Sequence, residues 1–294
     1  MKEAPIFELK EVCKAYPEFH LNHVSLSLPR GYIMGLIGPN GAGKSTTLQI
    51  LMNLLPHDSG SVRVMQMEYP RDERSIKDRV GYVGEVQYFY ENQSVRWMGQ
   101  FASGFFSEWD APLFSRYLER FDISPTKKAR QLSKGTRVKL SLAIALSHHP
   151  ELLVLDEPMS GLDPVVRRDL LGVFLDTIQD EKKSVLFSTH ITSDVERIAD
   201  FVAFLVEGKI VISAQKDSLL ANYKRVHFAD GAIPDPLVAQ LKGLRQSLFG
   251  NAGITTCFET LRPELEALMA NGKVKVENLN LDDILVGLVK GWSA

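Results

Sequence analysis

Two hydrophobic patterns alternate along this chain. "YIMGLIG", "ELLVLDEP" and "KKSVLFSTH" contain short, unbroken apolar runs, which predict parallel strands buried on both faces. Stretches with apolar residues three and four apart, such as "KSTTLQILMNLL", predict helices. The first run passes through a Gly-rich loop into a helix, and the other two end in polar residues. Open α/β sheets place their chemistry at the carboxyl ends of such strands. From about 92 to 148 the pattern is mainly helical, with "SVRWMGQFASGFF" and "APLFSRYLERF", and reads as an insert in the same domain. Trp97, Phe101, Phe105 and Phe106 fall at helical spacing and are expected as a core stripe, with a share available to receive a partner helix. Met65 and Met67 are expected as alternating strand residues. After "FLVEGKIVISA" the pattern changes: "YKRVHFA", "GITTCFE" and "KVKVENL" predict strands, separated by the helical "PDPLVAQL" and "RPELEALMA". The expected organisation is an α/β domain over 1–214 with a β-rich N-terminal part, followed by a small α+β appendage over 215–294. Truncation before Gln215 is expected to leave a folded unit.

Composition narrows the classes. The 294 residues suit about two domains, and 45% apolar with 24% charged residues is a globular profile. A net charge of −2 argues against a nucleic-acid partner. No apolar run approaches the roughly 18 residues of a membrane span, so action at a membrane would pass through a partner. "MKEAPIFELKEV" does not read as a signal peptide, and a cytosolic chain is expected. Cys13 and Cys257 are expected as unpaired thiols.

"GPNGAGKS", Gly38 to Ser45, has the spacing G-x-x-x-x-G-K-[ST] between a predicted strand and a predicted helix. Gly38, Pro39, Asn40, Gly41, Ala42, Gly43, Lys44, Ser45 and Thr46 thus form a candidate phosphate cradle. Backbone amides there point inward, and the helix start adds partial positive charge. Lys44 would meet the β- and γ-phosphates and Ser45 would hold Mg²⁺. In "LLVLDEP", Asp156 is the expected Mg²⁺ partner and Glu157 the group that polarises the attacking water. Ser133 suits the N-cap of an Ala- and Leu-rich helix in "QLSKGTRVKLSLAIAL". His148 and His149 at its far end suit a helix C-terminus better than a metal site.

With these residues in place, roughly the first 215 residues resemble the ATP-binding subunit of ABC transporters. "LSKGT", Leu132 to Thr136, is similar to the family's signature, with Lys134 and Thr136 departing from the commoner L-S-G-G-Q. "SGLD", Ser160 to Asp163, resembles the loop that couples two sites, and "STH" puts His190 where the family has its switch histidine. The resemblance implies a P-loop NTPase fold that uses ATP and Mg²⁺. It further implies head-to-tail pairing with a second copy or a paralogous subunit, in which Ser133 and Gly135 of one chain, and Asp163 of the coupling loop, complete the partner's site. Tyr16 lies where the family has an aromatic that stacks on adenine, competing with a structural role. Glu85 stands where the family usually has Gln, a metal-touching position, with Gln87 two residues on as the alternative. The C-terminal "NLNLDDILVGLVKG" resembles the tail of subunits that energise small export-type permeases. The expected function is therefore ATP hydrolysis driving a separate membrane permease, with the chain peripheral on the inner membrane face. The rival is an ABC-type ATPase acting on DNA or ribosomes, which usually carries a coiled-coil insertion or two ATP-binding halves.

Overall fold

The computed structural model describes residues 4–247 and 250–292. Its centre is a six-stranded sheet in the order Lys209–Gln215, Phe201–Val206, Ile33–Ile37, Ser184–Thr189, Leu152–Leu155, Val80–Val83. Neighbours are parallel except at the edge, where 209–215 runs antiparallel to 201–206. Every residue of Ile33–Ile37, Leu152–Leu155 and Ser184–Thr189 is buried. Successive side chains in a strand alternate faces, so a strand covered on both sides is apolar along its middle, with buried polar residues such as Ser184, Ser188 and Thr189 kept to its ends. Ile33, Ile37, Leu153, Leu155, Val185 and Phe187 join one apolar cluster with the helical insert. Met34, Leu36, Leu152, Val154 and Leu186 join another with the helix Lys44–Leu51 and the N-terminal sheet.

That second sheet is antiparallel, in the order His20–Leu28, Phe7–Ala15, Ser59–Val64, Met67–Glu68. Met65 departs from the strand alternation expected of it. With Gln66 it forms a two-residue turn, both residues having positive φ (51° and 63°), because such a turn matches the twist of the strands it joins.

The insert holds three helices, Val95–Ser103, Ala111–Arg120 and Lys134–Leu146. Ser94, Asp110 and Ser133 cap them, each accepting a bond from an amide of the first turn. Burial of Met98, Phe114, Leu118 and Val138 seats the insert on the central cluster. The third helix ends at Leu146, and His148 is not a cationic cap. Its buried ring stacks on Phe106 at 3.8 Å with the planes 5° apart. Burial pushes its pKa down to about 4 and keeps it neutral.

After the helix Lys216–Asn222 comes a four-stranded antiparallel sheet in the order Lys242–Ser247, Gly250–Thr255, Lys224–Phe228, Val274–Asn278. With helices Asp235–Val238 and Phe258–Ala270 the chain order is β-α-β-β-α-β, the split ferredoxin-like arrangement. Val226, Leu237, Phe258, Leu261 and Leu265 make its own apolar cluster. The last helix, Leu281–Lys290, then returns to the larger core. Leu279, Leu281 and Ile284 share a cluster with Val195, Ile198 and Val202. Replacing Ile284, fully buried, by Ala is therefore expected to cost about 2–5 kcal/mol in chemical denaturation of the whole chain. A change within about 0.5 kcal/mol, typical of a surface site, would contradict this packing.

Candidate nucleotide site

The phosphate loop joins the buried strand Ile33–Ile37 to the helix Lys44–Leu51. Gly43 has φ +103°, and a Cβ there would come 2.5 Å from the Phe19 ring, so only glycine suits the position. Lys44 then turns inward. Its side chain is 6% exposed, and its ammonium donates to the Gly38 carbonyl at 2.8 Å and the Pro39 carbonyl at 3.3 Å. Glu157 Oε1 lies 3.1 Å from the same nitrogen, an ion-pair distance without hydrogen-bond alignment.

Asp156 and Glu157 follow the buried strand Leu152–Leu155, and Ser188 of the neighbouring strand binds both. Its hydroxyl donates to Asp156 Oδ1 at 2.7 Å and accepts the Glu157 amide at 2.9 Å. Glu157 has φ +45°, a left-handed conformation that costs a non-glycine residue about 1 kcal/mol or more. The bond to Ser188 helps hold it there. Its Oε2 meets His190 Nδ1 at 2.9 Å. One carboxylate thus stands between an ammonium and an imidazole.

These groups face a cavity of about 520 Å³ lined by Asn40, Gly41, Gly43, Lys44, Ser45, Thr46, Glu85, Glu157 and His190, and also by Phe19 and Ser160. A second, of about 440 Å³, is lined by Ser45, Glu85, Gln87 and Asp156, together with Tyr82 and Ser141. Ser45 and Glu85 belong to both. Burial, with the Asp156 carboxylate nearby, pushes the Tyr82 hydroxyl up to about 12, so it remains a neutral neighbour. The Ser45 hydroxyl and the Asp156 and Glu85 carboxylates form a hard oxygen donor set, which suits Mg²⁺ completed by water and phosphate oxygens. The Gln87 amide donates instead to the Gly84 and Glu85 carbonyls, at 2.8 and 3.1 Å.

Of the expected site residues, Gly38, Pro39 and Ala42 of the phosphate loop and Tyr16, Ser133, Gly135 and Asp163 line neither cavity. Tyr16 is 37% exposed and pairs with Phe19 at 6.5 Å between ring centroids, so Phe19 rather than Tyr16 is the aromatic on the cavity wall. Ser133 is exposed and caps its helix through the Thr136 amide at 3.2 Å, with Gly135 half-buried behind it. Asp163 Oδ1 accepts the Val165 and Val166 amides, each at 3.0 Å, and caps the helix Pro164–Thr177. Sequence reasoning also missed Ser188, although it sits inside the "STH" motif, and the bidentate pair of Arg137 with Glu91 at 2.8 and 2.7 Å. That pair fastens the segment following Glu85 to the helix that Ser133 caps.

A family model described as ABC transporter matches residues 21–160. Over 201 residues the chain is 36% identical to a lantibiotic transport ATP-binding protein of Streptococcus pyogenes, covering 67% of this chain and 85% of that one. This chain belongs to the ABC transporter ATP-binding proteins. It is also 36% identical over 214 residues to an uncharacterized ABC transporter ATP-binding protein of Nostoc, covering 70% of this chain and 63% of the relative's length. Among solved structures, an ATP-binding subunit of an ABC transporter superposes with a TM-score of 0.65 at 24% identity, over 73% of this chain and 91% of that one. This last likeness speaks for the P-loop NTPase fold. Domains of this ABC family bind ATP.

Glu85 offers a direct check on the metal side. A carboxylate there keeps an acceptor for Mg²⁺ but adds negative charge near Glu157 and the phosphates. ATP affinity measured across a Mg²⁺ series is expected to depend more steeply on the metal in the wild type than in Glu85→Gln, with the variant still hydrolysing ATP. An unchanged Mg²⁺ dependence in Glu85→Gln, with turnover abolished by Gln87→Ala, would assign the position to Gln87.

Proposed function

We propose that this chain is the Mg²⁺-dependent ATP-hydrolysing subunit of an ABC transporter, and that two ATP-binding subunits pair head to tail around two ATP molecules. The observation that carries this reading is the arrangement of Lys44, Glu157 and His190 lining one cavity, with Glu157 between the other two. Lys44 and the loop amides bind the phosphates and offset their charge. Glu157 accepts a hydrogen bond from the attacking water, and His190 holds the carboxylate in line with it. Ser45, Asp156 and Glu85 would hold Mg²⁺, which would supply charge neutralisation at the phosphates.

The position of Ser133 and Gly135 supports a shared site. They begin a helix and line neither cavity of their own chain, so the amides of this helix start are offered to a phosphate held by another copy. Asp163 and Ser160 lie on the loop between the two half-sites. Residues 1–214 act as the ATPase unit and 215–294 as an accessory unit docked on it through the last helix. No helix among the described residues is long and apolar enough to cross a membrane, and the proposed partner is a separate permease. An aromatic surface on the insert fits that partner. Tyr88, Tyr90, Phe101 and Phe105 are exposed, and Tyr90, Trp97 and Phe101 pack ring against ring at 5.1–5.5 Å. Exposed apolar patches of this kind mark protein contacts. The chain then works on the inner face of the membrane. The streptococcal relative's name, lantibiotic transport, is in keeping with an export-type system.

Glu157→Gln tests the catalytic assignment. The variant is expected to bind ATP, to lose most hydrolysis, and to accumulate as a dimer on size exclusion with ATP and Mg²⁺. Turnover at the wild-type rate would remove Glu157 from this role.

A further inference from the structure

The helices Pro164–Thr177 and Thr192–Ile198 each begin just after a stretch that reaches the nucleotide cavity. Ser160 of the coupling loop and His190 both line it. Arg167 stands in the first turn of the former helix, its amide donating to the Asp163 carbonyl at 3.0 Å. Asp194 stands in the first turn of the latter, its amide donating to the Ile191 carbonyl at 3.3 Å. The two side chains meet, with Arg167 Nε 3.8 Å from Asp194 Oδ2. Both atoms are buried, and neither has a hydrogen-bond partner among the described residues.

A charge-assisted pair settles at about 2.7–2.9 Å, and a buried polar atom without a bond keeps its full desolvation cost. Burial accordingly raises the Asp194 carboxyl above its usual range, with Arg167 and Arg197 opposing the shift. The other flank of the helix Pro164–Thr177 differs. There Lys139, on the helix that Ser133 caps, donates to Asp169 Oδ2 at 2.8 Å, and the lysine side chain is only 13% exposed. The helix after the coupling loop is thus fastened to the Ser133 helix and stands about 1 Å short of a bond to the helix after His190. A small approach of the two first turns would satisfy both orphaned atoms at once.

We propose that Arg167 and Asp194 are positioning residues for ATP hydrolysis: when the coupling loop meets a second, ATP-bound copy, they close into a direct hydrogen-bonded pair that sets His190 on Glu157. The inference rests on the proposed ATPase function and adds two residues to it. Neither side chain lines a nucleotide cavity, so the pair acts through the two helix starts and not on ATP itself. Closing it draws the first turn that follows His190 toward the first turn that follows Asp163. The imidazole, 2.9 Å from Glu157 Oε2, is thereby held against the carboxylate only when the coupling loop is in place. In the free chain the bond is unmade and contributes little to folding.

The full chain is assayed for steady-state ATPase activity with Mg²⁺. Arg167→Gln and Asp194→Asn are each expected to lower kcat about tenfold, with KM for ATP held within about threefold. The double variant is expected to lose no more than either single one, because both changes break the same pair. Without nucleotide, the melting midpoint of Asp194→Asn is expected to stay within about 3 °C of the wild type. A pair that served only to hold the fold together would give the reverse, a lower midpoint with kcat intact. Wild-type kcat in Arg167→Gln overturns the proposal, whether or not Asp194→Asn folds. So do a loss carried by KM instead of kcat, losses that multiply in the double variant, and a larger fall in the nucleotide-free midpoint. A wild-type chain that hydrolyses no ATP counts against the ATPase assignment itself, and this role falls with it.

Discussion

Lys44 is a cation withdrawn almost entirely from water, and much of the nucleotide cavity is organised around it. An unpaired ammonium at that depth would be strongly destabilising. Two loop carbonyls and the Glu157 carboxylate provide the compensation, at 2.8, 3.3 and 3.1 Å. Those oxygens come from the ends of two different buried strands, so the ion pair forms only when the parallel sheet has brought the strand ends together. The arrangement stays incomplete by one aligned bond. Glu157 Oε1 is buried with no hydrogen-bond partner among the described residues. Under the proposed function, this unaligned pairing between carboxylate and ammonium is the one that a phosphate and a water would replace.

Ser188 and Arg137 carry this local arrangement outward. Ser188 is fully buried and links the acidic pair to the strand that leads into His190. Arg137 binds Glu91 and the Ala129 carbonyl, joining the segment after Glu85 to the helix that presents Ser133. The chain that runs on from Glu85 is thereby tied to the helix start proposed to meet a second copy. The aromatic patch of Tyr90, Trp97 and Phe101 flanks the same segment, which places the proposed permease contact beside it.

The sequence made the catalytic core readable because its determinants are local. The fully buried strands appear as unbroken apolar runs, and the phosphate loop needs glycines at fixed spacing whatever surrounds it. What escaped depends on packing between distant segments. Phe19 reaches the cavity wall only because the N-terminal sheet lies over Gly43. Met65 and Gln66 make a tight turn without the Asn-Gly residues that usually announce one, their φ values being held by the strands on either side. His148 looked like a charged helix end but is neutralised by burial against Phe106. In the C-terminal part, three strands were legible, whereas "KGLRQS" lacks apolar alternation and forms a sheet edge where one neighbour suffices. The return of Leu281 and Ile284 to the larger core has no local signature at all.

The central claim is that each functional site is assembled from two chains. Mixing a Ser133→Ala chain with a Lys44→Ala chain tests it, because a head-to-tail dimer of the two contains one site with both lesions and one with neither. ATPase activity of the mixture is predicted to rise above that of either variant alone, by an amount that follows the fraction of mixed dimers. Activity that never exceeds that of the separate variants, while mixed dimers are demonstrably present, would contradict the shared-site account.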